Sequence, residues 1–143
     1  MKYLKLFLLV QIIAFSAKSQ TVASFEKFWS KFQPALAAKN YTKLSQYTLF
    51  PLTCKGELDQ DKVIKIDKSK FASKFAKFLS LEKMNIDGSG QVKYAYLKEM
   101  IAIPENEKKN FVSGWIRIDD MEFVWKKGHW RMSLIYDGHT DLK

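Results

Sequence analysis

The spacing of apolar residues changes several times along this chain, and each spacing predicts a different element. Leu6 to Phe15 is an almost unbroken apolar run, interrupted only by Gln11. Phe25, Phe28, Trp29, Phe32 and Leu36 then recur at steps of three, one, three and four, which puts all five on one stripe of an amphipathic helix. Ser24 is the expected cap at its start. Pro34 should bend its last turns, because proline has no amide hydrogen and crowds the preceding turn, and Asn40 is the expected stop. A short second helix carries Tyr41, Leu44 and Tyr47, and "TLFPL" ends it, since Pro51 biases Phe50 away from helical geometry.

Beyond that point the texture becomes that of strands. "TCKGEL" and "KVIKI" are short alternating or β-branched stretches on either side of the polar "DQD", the mark of a small hairpin. One more helix follows in "KSKFASKFAKFLSL", opened by Asp67 or Ser69. There Lys70, Lys74 and Lys77 fall on one side and Phe71, Phe75, Phe78 and Leu79 on the other, a solvated face opposite a buried one. From "GSG" at 88–90 onward the pattern predicts strands over Gln91 to Ile103, Phe111 to Ile118, Met121 to Lys126 and His129 to Asp137. The polar "PENEKKN" joins the first two, and Asp119-Asp120 marks a turn or a bulge.

The last two strands carry enough pattern to set a register. A two-residue turn at Lys127-Gly128 pairs Lys126 with His129, Trp125 with Trp130, Phe123 with Met132 and Met121 with Leu134, and Tyr136 continues that side. The rings are then the inner wall of a sheet. Glu122, Lys126, His129, Arg131 and Ser133 face the other way, with His129 a rim residue beside the turn.

The first apolar run bears on compartment. "MKYLK" is a short basic lead, the run falls well short of the ~20 residues that span a bilayer, and Ala17-Lys18-Ser19 is a small-x-small exit. Residues 1–19 are therefore expected to be a signal peptide cleaved after Ser19. Residues 20–143 then form a single domain that is secreted or periplasmic and not membrane-anchored. The only cysteine, Cys54, lies too far downstream for lipid attachment and cannot form an internal disulfide. It reads as a small buried thiol near a strand, in a domain whose stability rests on a packed core.

Charge narrows the function. The 24 basic residues less the three lysines of the leader leave 21 against 15 acidic, a balance of +6. Only Arg117 and Arg131 are arginines, whereas phosphate and base recognition recruits the planar arginine fork, and the lysines are spread along the chain; nucleic-acid binding is not expected. Asn40-Tyr41-Thr42 fits a glycosylation acceptor, which has meaning only in a eukaryotic secretory pathway.

Taken together, the aromatic helix "FEKFWSKFQPALAAKN", the "FPL" segment and the terminal "EFVWKKGHWRMSLIYDG", with its tryptophan, turn, Gly-x-Trp and apolar continuation, give the chain a likeness to a known family. From Thr21 to Asp137 it resembles the nuclear transport factor 2-like superfamily, in its secreted bacterial branch. That fold is also found in ketosteroid isomerase, scytalone dehydratase and polyketide cyclases. The resemblance implies an α+β, cone-like domain with N-terminal helices packed in the concave face of a curved, mainly antiparallel sheet. It also implies a pocket for a small apolar ligand, and Trp29, Tyr94, Tyr96, Trp115, Trp125 and Trp130 are candidates to line it.

Catalytic members of that superfamily place an aspartate base in the pocket and a tyrosine or a neutral acid as oxyanion donor. No pair here matches by position. Asp59, Asp61, Asp67, Asp119, Asp120 and Asp137 fall in expected turns or caps and read as solvated carboxylates. Glu99 is the one catalytic candidate. It shares strand parity with Ala95, Leu97 and Ile101, and buried on an inward face it would have a raised pKa; the opposite face carries Tyr94, Tyr96 and Met100. His129 and His139 have no carboxylates at ligand spacing, and no glycine-rich phosphate loop or nucleophile elbow occurs, so neither metal nor cofactor is expected. Three functions stay open: a non-catalytic binding or interaction module, an isomerase-like or dehydratase-like enzyme, and a periplasmic inhibitor or immunity-type partner protein. The expected company is a small apolar ligand or a protein, with a homodimer through the sheet as one mode of pairing.

Overall fold

The computed structural model describes residues 21–56, 58, 60–80, 82–84, 91–93 and 114–137. The signal segment 1–19 and the candidates Tyr94, Tyr96 and Glu99 lie outside the described residues, as do Asp59 and His139. The described elements are helices and a five-stranded, mainly antiparallel open sheet, so the chain is α+β.

Helix α1 (Val22–Ala37) forms where the apolar stripe predicts it and buries Phe25, Phe28, Trp29, Phe32, Ala35 and Leu36. Its cap is Thr21 rather than Ser24. Ser24 is the third helical residue and returns the favour: Thr21 Oγ1 accepts the Ser24 amide at 3.1 Å and Ser24 Oγ accepts the Thr21 amide at 2.9 Å. Pro34 lies inside the helix, which continues to Ala37. The end is a Schellman turn in which Lys39 takes the left-handed conformation at φ 50°, its amide reaching the Leu36 carbonyl at 2.9 Å and the Asn40 amide the Ala35 carbonyl at 2.9 Å. Asn40 therefore starts the next helix instead of merely stopping the first. Its Oδ1 accepts the Lys43 amide at 3.0 Å and caps α2 (Tyr41–Gln46), whose Leu44 is buried.

"TLFPL" is the first half of a strand, not only a helix stop. β1 (Thr48–Lys55) pairs antiparallel with the short β2 (Ile64–Ile66), matching Leu52 to Ile66 and Cys54 to Ile64. Pro51 has no amide for the ladder, and here the pairing of β1 with the last strand slips, advancing from Thr48 opposite Met132 to Thr53 opposite Leu134. The lysine-rich segment opens with a 3-10 turn (Lys68–Lys70) before α3 (Phe71–Ser80). Phe71, Phe75 and Phe78 are buried in a stack with ring centroids 5.0 and 5.5 Å apart, and Lys70 and Lys77 are exposed. β3 (Glu82–Met84) and β4 (Gln91–Lys93) form a separate antiparallel pair.

β5 (Trp115–Ile118), β6 (Met121–Lys126) and β7 (His129–Tyr136) complete the main sheet in the order β2-β1-β7-β6-β5, with β1 and β7 parallel and every other pair antiparallel. The β6–β7 turn is the expected Lys127-Gly128, both at positive φ (52° and 79°), the twist a two-residue hairpin needs. From it the pairs Lys126–His129, Trp125–Trp130 and Phe123–Met132 follow as expected. Then β7 gains one residue. Ser133 is bulged, Glu122 lies opposite Leu134, and Met121 meets Ile135 rather than Leu134. Because strand side chains alternate, this extra residue turns β7 over: Ile135 enters the core, while Leu134 and Tyr136 are only half-buried.

Where helix meets sheet, Phe123 is fully buried among α1 rings, with centroids 5.6 Å from Phe25, 5.5 Å from Phe28, 5.7 Å from Trp29 and 5.2 Å from Phe32. Each such ring removed from water contributes roughly 1.5–3 kcal/mol. Two aspartates expected to be solvated are buried. Asp120 is 7% exposed: its turn is covered by β7, its carbonyl accepts the Tyr136 amide at 2.8 Å, and its carboxylate lies 3.6 Å from Arg117. Asp137 is 2% exposed, because the parallel alignment of β1 and β7 brings its amide to the Lys55 carbonyl at 2.8 Å.

Candidate functional site

A cleft of about 500 Å³ opens between the first half of α1, the end of α2 and the turn end of the β6–β7 hairpin. Helix periodicity makes its first wall: Ser24, Lys27, Phe28 and Lys31, at i, i+3, i+4 and i+7, flank the buried stripe of α1. Gln46 and Tyr47 bring the end of α2. The hairpin supplies Trp125, Gly128, His129, Trp130 and Arg131.

The apolar lining is aromatic. Trp125 and Trp130 meet across the strands with ring centroids 5.6 Å apart, and Phe28 stands edge-on to Tyr47 at 5.7 Å. Trp130 is fixed: it is 3% exposed, its ring is edge-on to Phe25 at 5.0 Å, and its indole Nε1 donates to Ser24 Oγ at 2.9 Å. That hydroxyl also donates to the Thr21 carbonyl at 2.7 Å and accepts the Thr21 amide, so its one donor and both acceptor sites are committed. The helix cap and the hairpin tip are thereby one hydrogen-bonded unit. Trp125 is only half-buried and lines the cleft.

The formally charged lining residues, Lys27, Lys31 and Arg131, are all cations. Lys27 and Lys31 are exposed on α1, and His129 is exposed at the turn. Arg131 donates from Nη1 to the backbone carbonyl of Gln46 in the last turn of α2, where the helix dipole is negative, and this holds the guanidinium at the cleft. None of the described residues that line it carries a carboxylate.

On the sheet face opposite Phe123 lies a second polar cluster that alternation alone did not reveal. Glu122 accepts from Trp115 Nε1 at 3.0 Å and from the Tyr136 hydroxyl at 2.6 Å, and the Arg117 guanidinium covers the Tyr136 ring at 3.8 Å. Arg117 also donates from Nε to the Asp119 carbonyl at 2.8 Å. Both oxygens of the Glu122 carboxylate are occupied by protein donors, and none of these residues lines the cleft. The cluster exists because the bulge at Ser133 brings Tyr136 to this face, a tertiary event with no local signal.

Of the aromatic candidates, Trp125 and Trp130 line the cleft, Trp29 is core at 5% exposure, and Trp115 belongs to the opposite face. Phe28, Tyr47, Lys27, Lys31 and Arg131 were not singled out from the sequence as lining residues; the i+4 spacing of two lysines beside Phe28 was the available signal. Cys54 is buried on β1, and its thiol is pushed up to about 12 by burial and by the nearby Asp137 carboxylate, with Lys74 opposing. Among the described residues no three of His, Cys, Asp and Glu converge as metal ligands, and no helix is long and apolar enough to cross a membrane.

An open α+β sheet with an aromatic, cation-flanked cleft at the junction of helix and terminal hairpin is the class that fold and geometry define. No family model, curated protein or solved structure matches this chain.

Proposed function

We propose that this chain is a secreted or periplasmic domain of the nuclear transport factor 2-like type whose cleft binds a small ligand without transforming it. The observation that carries the reading is the cleft itself: about 500 Å³, within the range of small-molecule sites, walled by Phe28, Tyr47, Trp125 and Trp130, with no carboxylate among the described residues that line it. The order of elements and the seating of the terminal tryptophan hairpin against the aromatic helix support the family assignment. On this reading the helices occupy the concave side of a cone-like sheet, and residues 1–19 are removed on export. Intact-mass measurement of exported protein should find Gln20 at the amino terminus.

Binding is tested with a neutral apolar fluorophore, N-phenyl-1-naphthylamine. Saturable uptake of one molecule per chain is expected, abolished by Trp125→Ala and unchanged by Trp115→Phe on the opposite face. Uptake that does not saturate, or that survives Trp125→Ala, removes the cleft as the site.

A further inference from the structure

We infer that the ligand of this cleft is an organic anion: an apolar body bearing one carboxylate, sulfonate or phosphate head. The inference rests on the binding reading above and adds the chemistry of the head group. Three residues carry it: Lys27 and Lys31 stand one turn apart on α1, and Arg131 of β7 lines the same cleft. No described residue makes an ion pair with Lys27, Lys31 or Arg131.

Like charges at i and i+4 weaken a helix instead of supporting it, so the lysine pair works against α1 in the free protein. An anion between them reverses that effect. Arg131 adds direction. One of its five N–H donors holds the Gln46 carbonyl, which tethers the guanidinium at the cleft and leaves further donors for a two-oxygen head group. The indole N–H of Trp130 is taken by Ser24, so Trp130 has no donor left for a ligand. Aromatic rings and cations lining one cleft suit an amphipathic anion better than a neutral sugar or a cation.

The test compares decanoate with decanamide, which share a chain and differ in charge, by isothermal titration of the whole exported protein. Decanoate is expected to bind about tenfold more tightly or better, the range of hydrogen bonds to a charged group. Its affinity should fall as salt rises through the range in which exposed charges are screened, while that of decanamide should not. In the double variant Lys27→Met/Lys31→Met, two exposed positions, the preference should shrink toward parity. The melting temperature of the free variant should be unchanged or slightly higher, an outcome that a merely structural role for the lysines does not produce. Equal binding of both probes by the unaltered protein overturns the anion inference and leaves the small-ligand reading standing. Binding of neither probe overturns both.

Discussion

Trp130 and Ile135 sit on one strand, five residues apart, yet the two ends of the β6–β7 hairpin have opposite character. At the turn end, half-buried Trp125 lines an open cleft beside exposed His129 and half-buried Arg131, with buried Trp130 packed against the Trp125 ring. At the other end, Met121, Ile135 and the neighbouring Cys54 of β1 are buried, and Asp137 is enclosed with them. The difference comes from neighbours. The turn end runs past the paired part of β1 and meets α1 and the end of α2, while the other end lies between β1 and the β5–β6 turn. One hairpin thus holds both an accessible surface and a sealed interior, which is how a small domain can leave the Trp125 ring partly exposed without losing its core.

The largest expected effect separates the two tryptophans. Trp130→Ala removes a buried ring packed on Phe25 and leaves Ser24 without its indole partner, and should cost about 3–5 kcal/mol. Trp125→Ala, at the cleft mouth, should cost about 1–2 kcal/mol because less of its surface leaves water on folding. Urea unfolding of both variants measures this, and equal losses would erase the distinction between cleft wall and core.

Next in size is the alkaline behaviour of the sealed end. Unfolded, Cys54 releases its proton near pH 9.0; folded, it holds it to about 12. Between those values the folded state carries the extra proton, so this contribution to stability is intact below pH 9.0 and declines as pH rises toward 12. One proton corresponds to a slope of at most about 1.4 kcal/mol per pH unit. Cys54→Ala should remove that slope, and a thiol reagent should label the native protein only at the rate of unfolding. Rapid labelling of folded protein would show that this end is open.

A smaller effect belongs to the opposite face. Tyr136→Phe deletes the 2.6 Å bond to Glu122 and should cost about 1 kcal/mol, leaving ligand uptake unchanged since neither residue lines the cleft. Smallest of all, His129→Ala should stay within about 0.5 kcal/mol, as at ordinary exposed positions. A larger loss would mean that the turn end is less open than its geometry indicates.

Much of this contrast was legible residue by residue. The stripe of Phe25, Phe28, Trp29, Phe32 and Leu36 identified α1 and its buried face, and the lysine–phenylalanine division identified α3. Lys127-Gly128 located the hairpin and three of its pairs. The cleft was only partly legible: Trp125 and Trp130 stood out as aromatic, but the lysines that share their space are some hundred residues away and look like any solvated helix face.

Local chemistry alone determined where helices cap, where the last turn falls and which rings point inward near it, because those outcomes depend on periodicity and on side chains a few residues apart. Tertiary structure decided the rest. The bulge at Ser133, which exchanges Leu134 for Ile135 in the core, depends on how β7 fits against β6 and β1 together. The burial of Asp120 and Asp137 follows from the covering of strand ends by elements distant in sequence. The gathering of Lys27, Lys31 and Arg131 around two tryptophans requires α1 to lie across the hairpin, and alternation within one strand cannot encode which helix face arrives there. Register within an element is a short-range property of the chain, whereas the company a side chain keeps is set by packing over the whole domain.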